Sequence, residues 1–411
     1  MSELKYRIEY LLIRLATLPL SFMPYSFLHR LGMFFGNLAF YCMPKFRKRV
    51  LSNLSLAKGL NLSSKEIFRI AKGSFQNLMI TCLEYAKLAR ENDISNIAVC
   101  ENPEIAASFI QKGQGVIFFC GHQANWEVLF LEGSSRMPGV AVGRPILNRF
   151  LYRWVIGMRE KFGGKIIDRK KAVKEGLRGL RNGVFLGIVG DQAMPESGFS
   201  SDFLGRKAFT STIPALLAYR TDSPLFVATI QRKNGKYHIR YSDPLFAQSE
   251  NEMGAEVARL MNESLKIFEQ SVKECPEQWL WQHNRWKRQS PGIVRRTYCF
   301  DSLCIAMPQG ESFEKLWPYL QTLRDIYPEE HFTLLLPSSE KNRPIPFEVS
   351  SLRYYDCIKD LCIPDYAPKL LFNFTKSKAL SKHFENCSVL KVVTLDDVPD
   401  LDFHKVLCHA R

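Results

Sequence analysis

No apolar run in this chain reaches the length of a membrane crossing. The charge-free stretch from Leu31 to Met43 covers about 13 residues, where about 20 are needed to span a bilayer. The 11 cysteines form no paired framework and no CxxC pair, which argues against a disulfide-stapled secreted domain and against the common structural zinc sites. A reducing compartment suits them. Internal repeats are absent, as are GxGxxG, P-loop, HExxH and GxSxG signatures, so dinucleotide-fold, phosphate-loop, zinc-protease and serine-hydrolase readings have no motif behind them. A secretory signal is also unsupported, because the apolar N-terminus lacks a small-residue cleavage pattern and extends too far.

Acids are the scarce charge. Against 56 Lys and Arg stand 41 Asp and Glu, a net charge of +15. The imbalance is local: residues 298–411 hold 13 basic and 16 acidic side chains, which leaves 43 and 25 in residues 1–297. With 46% hydrophobic and 12% aromatic residues, the 411-residue chain is globular and long enough for two or three units. The division expected is a membrane-anchoring segment over 1–50, a central domain over 51–292 and a further domain over 298–411.

Residues 6–43 are apolar and aromatic, interrupted by Arg14, Pro19, Pro24, His29 and Arg30, and are followed at once by Lys45, Arg47, Lys48 and Arg49. This order suits an uncleaved anchor that lies in, or reaches through, the inner leaflet, with its basic flank on the cytoplasmic side. The alternative is a pair of core helices followed by a solvated basic loop. Residues 65–90 carry apolar side chains at helical spacing, with Ser63 or Ser64 as cap ahead of Glu66. From Gly113 the pattern alternates between short β-branched or aromatic runs (GVIFFC, GVAV, KIID, VFLGIVG) and helical stretches, the signature of an α/β sheet flanked by helices. PLFVATIQR and KYHIRYSD meet across Asn234-Gly235, a hairpin turn, so the sheet is expected to be mixed. A long helix over about 251–273 leads into PEQWLWQHNRWKR, and Pro291-Gly292 then punctuates the chain. The tail restarts with strand, helix and strand and is expected to be a small α/β domain. It carries no nucleotide fingerprint, and its role is unreadable.

One segment can carry chemistry. GVIFFCGHQANWEVLFLEG places His122 just past the carboxyl end of a buried strand and Glu127 five residues later, and strand ends in open α/β sheets are where ligands bind. Gly121 allows a sharp exit, Asn125 can cap the following helix, and Glu127 falls in its first turn. The pattern suits general-base catalysis, with His122 taking a proton from a hydroxyl and Glu127 orienting the ring. An activated thioester donor needs no covalent enzyme intermediate. Cys120 is the rival nucleophile, although strand alternation favours its burial. A His–Glu pair at this spacing is common, and a hydrogen-bonded structural histidine is the competing reading.

Residues 136–190 hold 13 basic and three acidic side chains, a field that attracts phosphate, an acidic carrier protein or anionic lipid. No nucleic-acid-binding motif accompanies it. Most of these cations read as solvated helix faces. Arg144 in VGRPI and Arg169 in IIDRK differ, because each adjoins a strand end near His122. Asp191 and Gln192 follow a further strand, and Arg206 lies in FLGRKAF downstream. Asp191 is placed to fix the loop or the site arginines, and Arg206 to hold phosphate, with a purely structural loop as the alternative.

At these residues the chain resembles the late acyltransferases of lipid A biosynthesis, within the lysophospholipid and glycerol-phosphate acyltransferase superfamily. The likeness covers roughly residues 1–292 and rests on RVLSNLSLA near residue 50, GHQANWE, GRP at 143–145, DRK at 168–170, GDQ at 190–192 with FLGR downstream, and PEQWLWQHNRWK at 276–287. It implies transfer of a fatty acyl chain from acyl carrier protein to a hydroxyl of a lipid A precursor, at the cytoplasmic face of the inner membrane, without metal or bound cofactor. It also implies His122 and Glu127 as the catalytic pair and Arg144, Arg169 and Arg206 as substrate contacts. His283 and Arg285 match the closing motif without an assigned role. Two alternatives remain: acylation of a glycerol-phosphate lipid, and a non-catalytic membrane-anchored binding protein. Residues 298–411 have no counterpart in the pattern, which leaves a second activity, a partner-binding module or altered acceptor choice.

Overall fold

The computed structural model describes residues 2–287 and 293–409. The break expected at Pro291-Gly292 lies outside the described residues. The chain opens with helices α1 (Ser2–Thr17), α2 (Tyr25–Cys42), α3 (Pro44–Leu56) and α4 (Ser64–Leu88). There follow β1 (Ala98–Cys100), α5 (Glu104–Gln111), β2 (Ile117–Cys120), α6 (Trp126–Arg136), β3 (Gly139–Gly143), α7 (Arg149–Arg159), β4 (Lys165–Asp168), α8 (Ala172–Arg181) and β5 (Phe185–Val189). A small ribbon, β6 (Phe199–Phe203) and β7 (Arg206–Thr210), precedes α9 (Ile213–Thr221), β8 (Leu225–Lys233), β9 (Lys236–Tyr241) and α10 (Met253–Glu274). The tail adds β10 (Ser302–Ala306), α11 (Glu311–Leu316), α12 (Tyr319–Ile326), β11 (His331–Pro337), β12 (Ser351–Tyr355), β13 (Leu370–Asn373), α13 (Lys378–Cys387), β14 (Lys391–Thr394) and α14 (Phe403–Leu407).

These elements divide into two compact units, and neither is contiguous in sequence. One comprises residues 1–42, 72–192 and 210–280; the other gathers 43–71, 193–209 and 281–411. The first unit is built on a seven-stranded sheet in the order β1-β9-β8-β2-β5-β3-β4. All its pairs are parallel except β8 with β9, which meet at the expected hairpin, Asn234 and Gly235 both taking positive φ. The fold class is thus α/β with a mixed sheet. Adjacent side chains on a strand point to opposite faces, and here they meet different helices. Phe185 packs on Phe130 of α6 at 6.0 Å, while Leu186 approaches Gly176 of α8. Likewise Phe118 joins the cluster that holds Val128 and Leu131 of α6, and Phe119 meets Phe268 of α10 edge-on.

α1 and α2 lie on the α6–α7 side. Arg14 stacks over Trp154 of α7 at 4.6 Å. α2 buries Leu28, Gly32, Gly36 and Phe40, a narrow stripe at every fourth position, and Gly36 allows its backbone so close to α4 that a Cβ would stand 2.3 Å from Cα of Gln76. The remaining apolar side chains face outward: Leu11, Leu12, Leu15, Phe22, Phe34 and Leu38 are exposed. No helix among the described residues is long and apolar enough to cross a membrane.

The second unit is built on a five-stranded parallel sheet in the order β12-β11-β10-β13-β14. Both its faces are covered, as parallel sheets require: Leu303 and Ile305 pack into one cluster, Cys304 and Ala306 into the other. The tail's own strands and helices thus form an α/β sheet. The segments 43–71 and 193–209 belong to the same unit, so its boundary does not fall at residue 298.

Candidate active site

β2 ends at Cys120, and only glycine fits the exit. A Cβ on Gly121 would come 2.0 Å from Cζ of Phe268 and 2.8 Å from Oδ2 of Asp191. The His122 loop that follows is clasped by the PEQWL segment: Leu280 N–H donates to the His122 carbonyl at 3.0 Å, Ala124 N–H donates to the Gln278 carbonyl at 2.7 Å, and Gln123 bridges to Trp279. Ala124 holds φ at 47°, a left-handed backbone that costs a non-glycine residue about 1–3 kcal/mol. Asn77 and Thr81 both donate to its carbonyl, at 3.1 and 3.0 Å.

Asn77 and Thr81 begin a buried polar stripe on α4. Glu84 and Tyr85 continue it at the spacing that puts four side chains on one helical face. Glu84 accepts from Asn125 at 2.7 Å and from Tyr237 at 2.6 Å, and meets His29 Nε2 at 2.7 Å. Asn125 in turn caps α6, its side chain accepting from Glu127 N–H at 3.2 Å. The stripe therefore fixes the loop's backbone and the start of the next helix together.

The carboxylate that reaches the imidazole is Asp191, not Glu127. His122 Nδ1 lies 2.7 Å from Asp191 Oδ1, and both His122 N–H and Trp279 Nε1–H donate to Oδ2 at 2.8 Å. Burial pushes the Asp191 carboxyl up, but the His122 charge and the three hydrogen bonds outweigh it and hold it at about 2. An ionised acceptor at Nδ1 assigns the neutral ring's proton to that nitrogen and leaves the Nε2 lone pair free to take another. Nε2 faces the Gln192 amide at 3.3 Å, and Trp126 stands edge-on to the ring at 4.8 Å between centroids. The imidazole remains 17% exposed above its buried partner.

Glu127, expected to orient the ring, is turned elsewhere. Arg159 of α7 grips both its oxygens, Nε at 2.7 Å from Oε2 and Nη2 on Oε1, and Tyr85 donates to Oε1 at 2.5 Å. The physical reason is its place in the first turn of α6, which faces α4 and α7, whereas the end of β5 lies directly beside the end of β2. Cys120 is buried with its thiol donating to the Ile188 carbonyl at 3.6 Å; burial, and then the Asp191 charge, push its pKa far up. It is a small core residue and not a nucleophile.

The other expected residues divide between the units. Strands β2, β5, β3 and β4 are consecutive and parallel, so their carboxyl ends present His122, Asp191, Arg144 and Arg169 in that order along one edge. Gly143 and Asp168, the residues before the two arginines, are directly paired, and both arginines are exposed. Arg206 belongs to the second unit, where Nη2 donates to the Asp301 carbonyl at 2.8 Å. His283 and Arg285 also fall in the second unit, with Arg285 Nη1 donating to the Phe209 carbonyl at 2.7 Å. Sequence reasoning passed over Tyr85, Arg159 and Trp279, which only the fold brings to the loop. The α4 stripe left a readable signal, polar residues at helical spacing from Ser74, itself buried and donating to the Trp279 carbonyl, through Asn77 and Thr81 to Glu84 and Tyr85.

Residues 1–288 match the family described as bacterial lipid A biosynthesis acyltransferase. The chain belongs to that family. Among its relatives, the lipid A biosynthesis lauroyltransferase of Escherichia coli (strain K12) is 24% identical over 285 residues, 67% of this chain and 90% of that protein. The lipid A biosynthesis acyltransferase of Haemophilus influenzae is 26% identical over 181 residues, 41% of this chain and 53% of that protein. Family membership supports acyl transfer in lipid A biosynthesis as the chemistry of residues 1–288, and residues 289–411 lie beyond the family match.

Proposed function

We propose that the protein transfers a fatty acyl chain from acyl carrier protein to a hydroxyl of a lipid A precursor by direct general-base catalysis. The observation that carries this reading is the His122–Asp191 pair: a buried carboxylate held ionised at Nδ1, with Nε2 at the carboxyl-end edge of the sheet, 3.3 Å from the Gln192 amide. The acceptor hydroxyl takes the place of the Gln192 amide and gives its proton to Nε2 as its oxygen attacks the thioester carbonyl. The tetrahedral oxyanion collapses, the C–S bond breaks, and the imidazolium returns the proton to the departing thiolate. Asp191 holds the ring in one tautomer and stabilises the imidazolium while it exists. Arg144 and Arg169, two and three strands along the same edge, are placed for the phosphates of a phosphorylated glycolipid.

The exposed apolar side chains of α1 and α2 support a protein that sits in the surface of the inner membrane, at its cytoplasmic face, where both an insoluble acceptor and a soluble donor can reach the edge. Glu127 and Arg159 act as the strut that holds α6 against α7 behind the loop. The test is direct: purified protein is given acyl carrier protein thioester and a lipid A precursor, and the lipid is weighed by mass spectrometry. A mass gain of one acyl chain is expected, lost with His122→Ala. A gain on glycerol-phosphate lipid instead would redirect the acceptor, and no gain with any acceptor would overturn the enzymatic reading.

A further inference from the structure

α8 carries a stripe of cations. Lys174, Arg178 and Arg181 fall within an arc of about 60° on this helix at 3.6 residues per turn, and Lys170 stands one turn earlier on the same line. All four are exposed, and among the described residues none of their side chains has a hydrogen-bond or ion-pair partner. The opposite face carries Ala172, Gly176 and Leu180, all buried, so the helix is fixed by its small and apolar side and offers the cations outward. At about 1.5 Å per residue the stripe is roughly 16 Å long. Four unpaired like charges in a row repel one another and gain most from a partner whose acids are spaced along a helix of its own.

We propose that this stripe docks an acidic, helical protein that carries the acyl group as a thioester. The inference rests on the function proposed above and gives its donor a location. Two observations choose a protein over a lipid surface. First, α8 lies on the α8–α9–α10 face of the sheet, as the contact of Gly176 with Leu186 shows, and of its own apolar side chains only Val173 is exposed, whereas the dense run of exposed apolar side chains belongs to α1 and α2 on the α6–α7 face. A membrane that meets the apolar side chains leaves the stripe on the other layer. Second, the stripe begins at Lys170, directly after Arg169 at the carboxyl end of β4, so a partner seated there stands beside the reaction edge. From β4 to β2 is three strand spacings, about 14 Å at 4.8 Å each, a span that a flexible thioester arm can cross while its protein stays outside.

The test uses full-length protein and two donors bearing the same acyl chain, one on acyl carrier protein and one on pantetheine. The triple variant Lys170→Glu, Lys174→Glu, Arg178→Glu is expected to raise KM for the protein donor by about tenfold or more, with kcat unchanged. Kinetics with the pantetheine donor should match wild type, as should binding to phosphatidylglycerol vesicles. Added salt should raise the wild-type KM for the protein donor alone. An unchanged KM for the protein donor overturns the docking site, and lost vesicle binding with that KM intact would assign the stripe to the membrane instead. Should wild type transfer from neither donor, the underlying function fails before the docking question arises.

Discussion

Glu127 shows how one residue's neighbours change its role. Five positions from His122, it was the natural candidate to orient the ring, yet its carboxylate faces Arg159 and Tyr85, and a carboxylate 69 positions away takes its place. Nothing local could reveal this, because the ends of β2 and β5 become neighbours only when the sheet forms. Both residues of the pair were individually legible, each following an apolar run; their partnership was not. The Glu127–Arg159 contact makes its own prediction. Removing one member of a buried ion pair leaves the other uncompensated, so Glu127→Ala should lower the unfolding free energy by about 3 kcal/mol, the low end for such pairs because Arg159 keeps some contact with water. Replacing both, as Glu127→Leu with Arg159→Met, should recover most of that loss in denaturant titrations. If the double variant is no more stable than the single one, the pair is not a strut.

At the scale of elements, the strands richest in apolar residues could be read directly. β2, β3, β4 and β5 were expected from their runs, and the β8–β9 hairpin from Asn234-Gly235. β1 was missed because it is three residues long, and β6 because FSSDF reads as a polar loop until β7 pairs with it. β12 was lost among mixed residues, and the single helix expected over residues 311–327 is broken where Pro318 follows Trp317. α4 was legible as a helix but not as the template of the His122 loop. Its stripe predicts an order of effects: Asn77→Ala strips a donor from both the Ala124 and Gln278 carbonyls and should cost about 2–3 kcal/mol, while Thr81→Val removes one of two donors to Ala124 and should cost about 1 kcal/mol. Turnover should fall in the same order, measured beside urea midpoints, because both changes loosen the loop that presents the imidazole; equal stability in the two variants would contradict the assignment.

β11 opens with His331, and its unit is expected to lose stability in acid. Burial first, then the charges of Arg206 and Lys58, pull His331 down from 6.5 to about 3. A group depressed in the folded state binds its proton more readily when unfolded, so the stability it contributes is complete above pH 6.5 and drains away as pH falls toward 3. His331→Gln should flatten that limb in unfolding free energies measured across this range. A slope unchanged by the substitution would assign the acid sensitivity to other groups.

At the scale of the whole molecule, the tail is not an appendage. Its parallel sheet shares a unit with segments that carry family motifs, and the ties run to the amino ends of its strands: Lys369, just before β13, bonds Asp301 at 2.7 Å and Asn53 at 2.8 Å, Ser52 donates to the Ala367 carbonyl at 2.6 Å, and Lys48 donates to that of Val389 at 2.9 Å. Composition shifts at residue 298, but charge counts carry no information about the earlier segments, 43–71 and 193–209, that fold in the same unit as the tail. Lys369→Met leaves the Asp301 carboxylate buried without its cation and should cost about 3–5 kcal/mol. Truncation near residue 297 should yield insoluble protein, since it exposes Ser52 and Asn53, both fully buried. A soluble, cooperatively unfolding fragment would show that residues 1–297 fold alone.

The turnover of Asp191→Asn reads out whether Asp191 orients His122 as the base. The variant keeps the shape of the side chain but loses the charge, and kcat for acyl transfer should fall by about 10²–10⁴ while cooperative unfolding is retained. Wild-type kcat in a folded Asp191→Asn protein would strip Asp191 of that role.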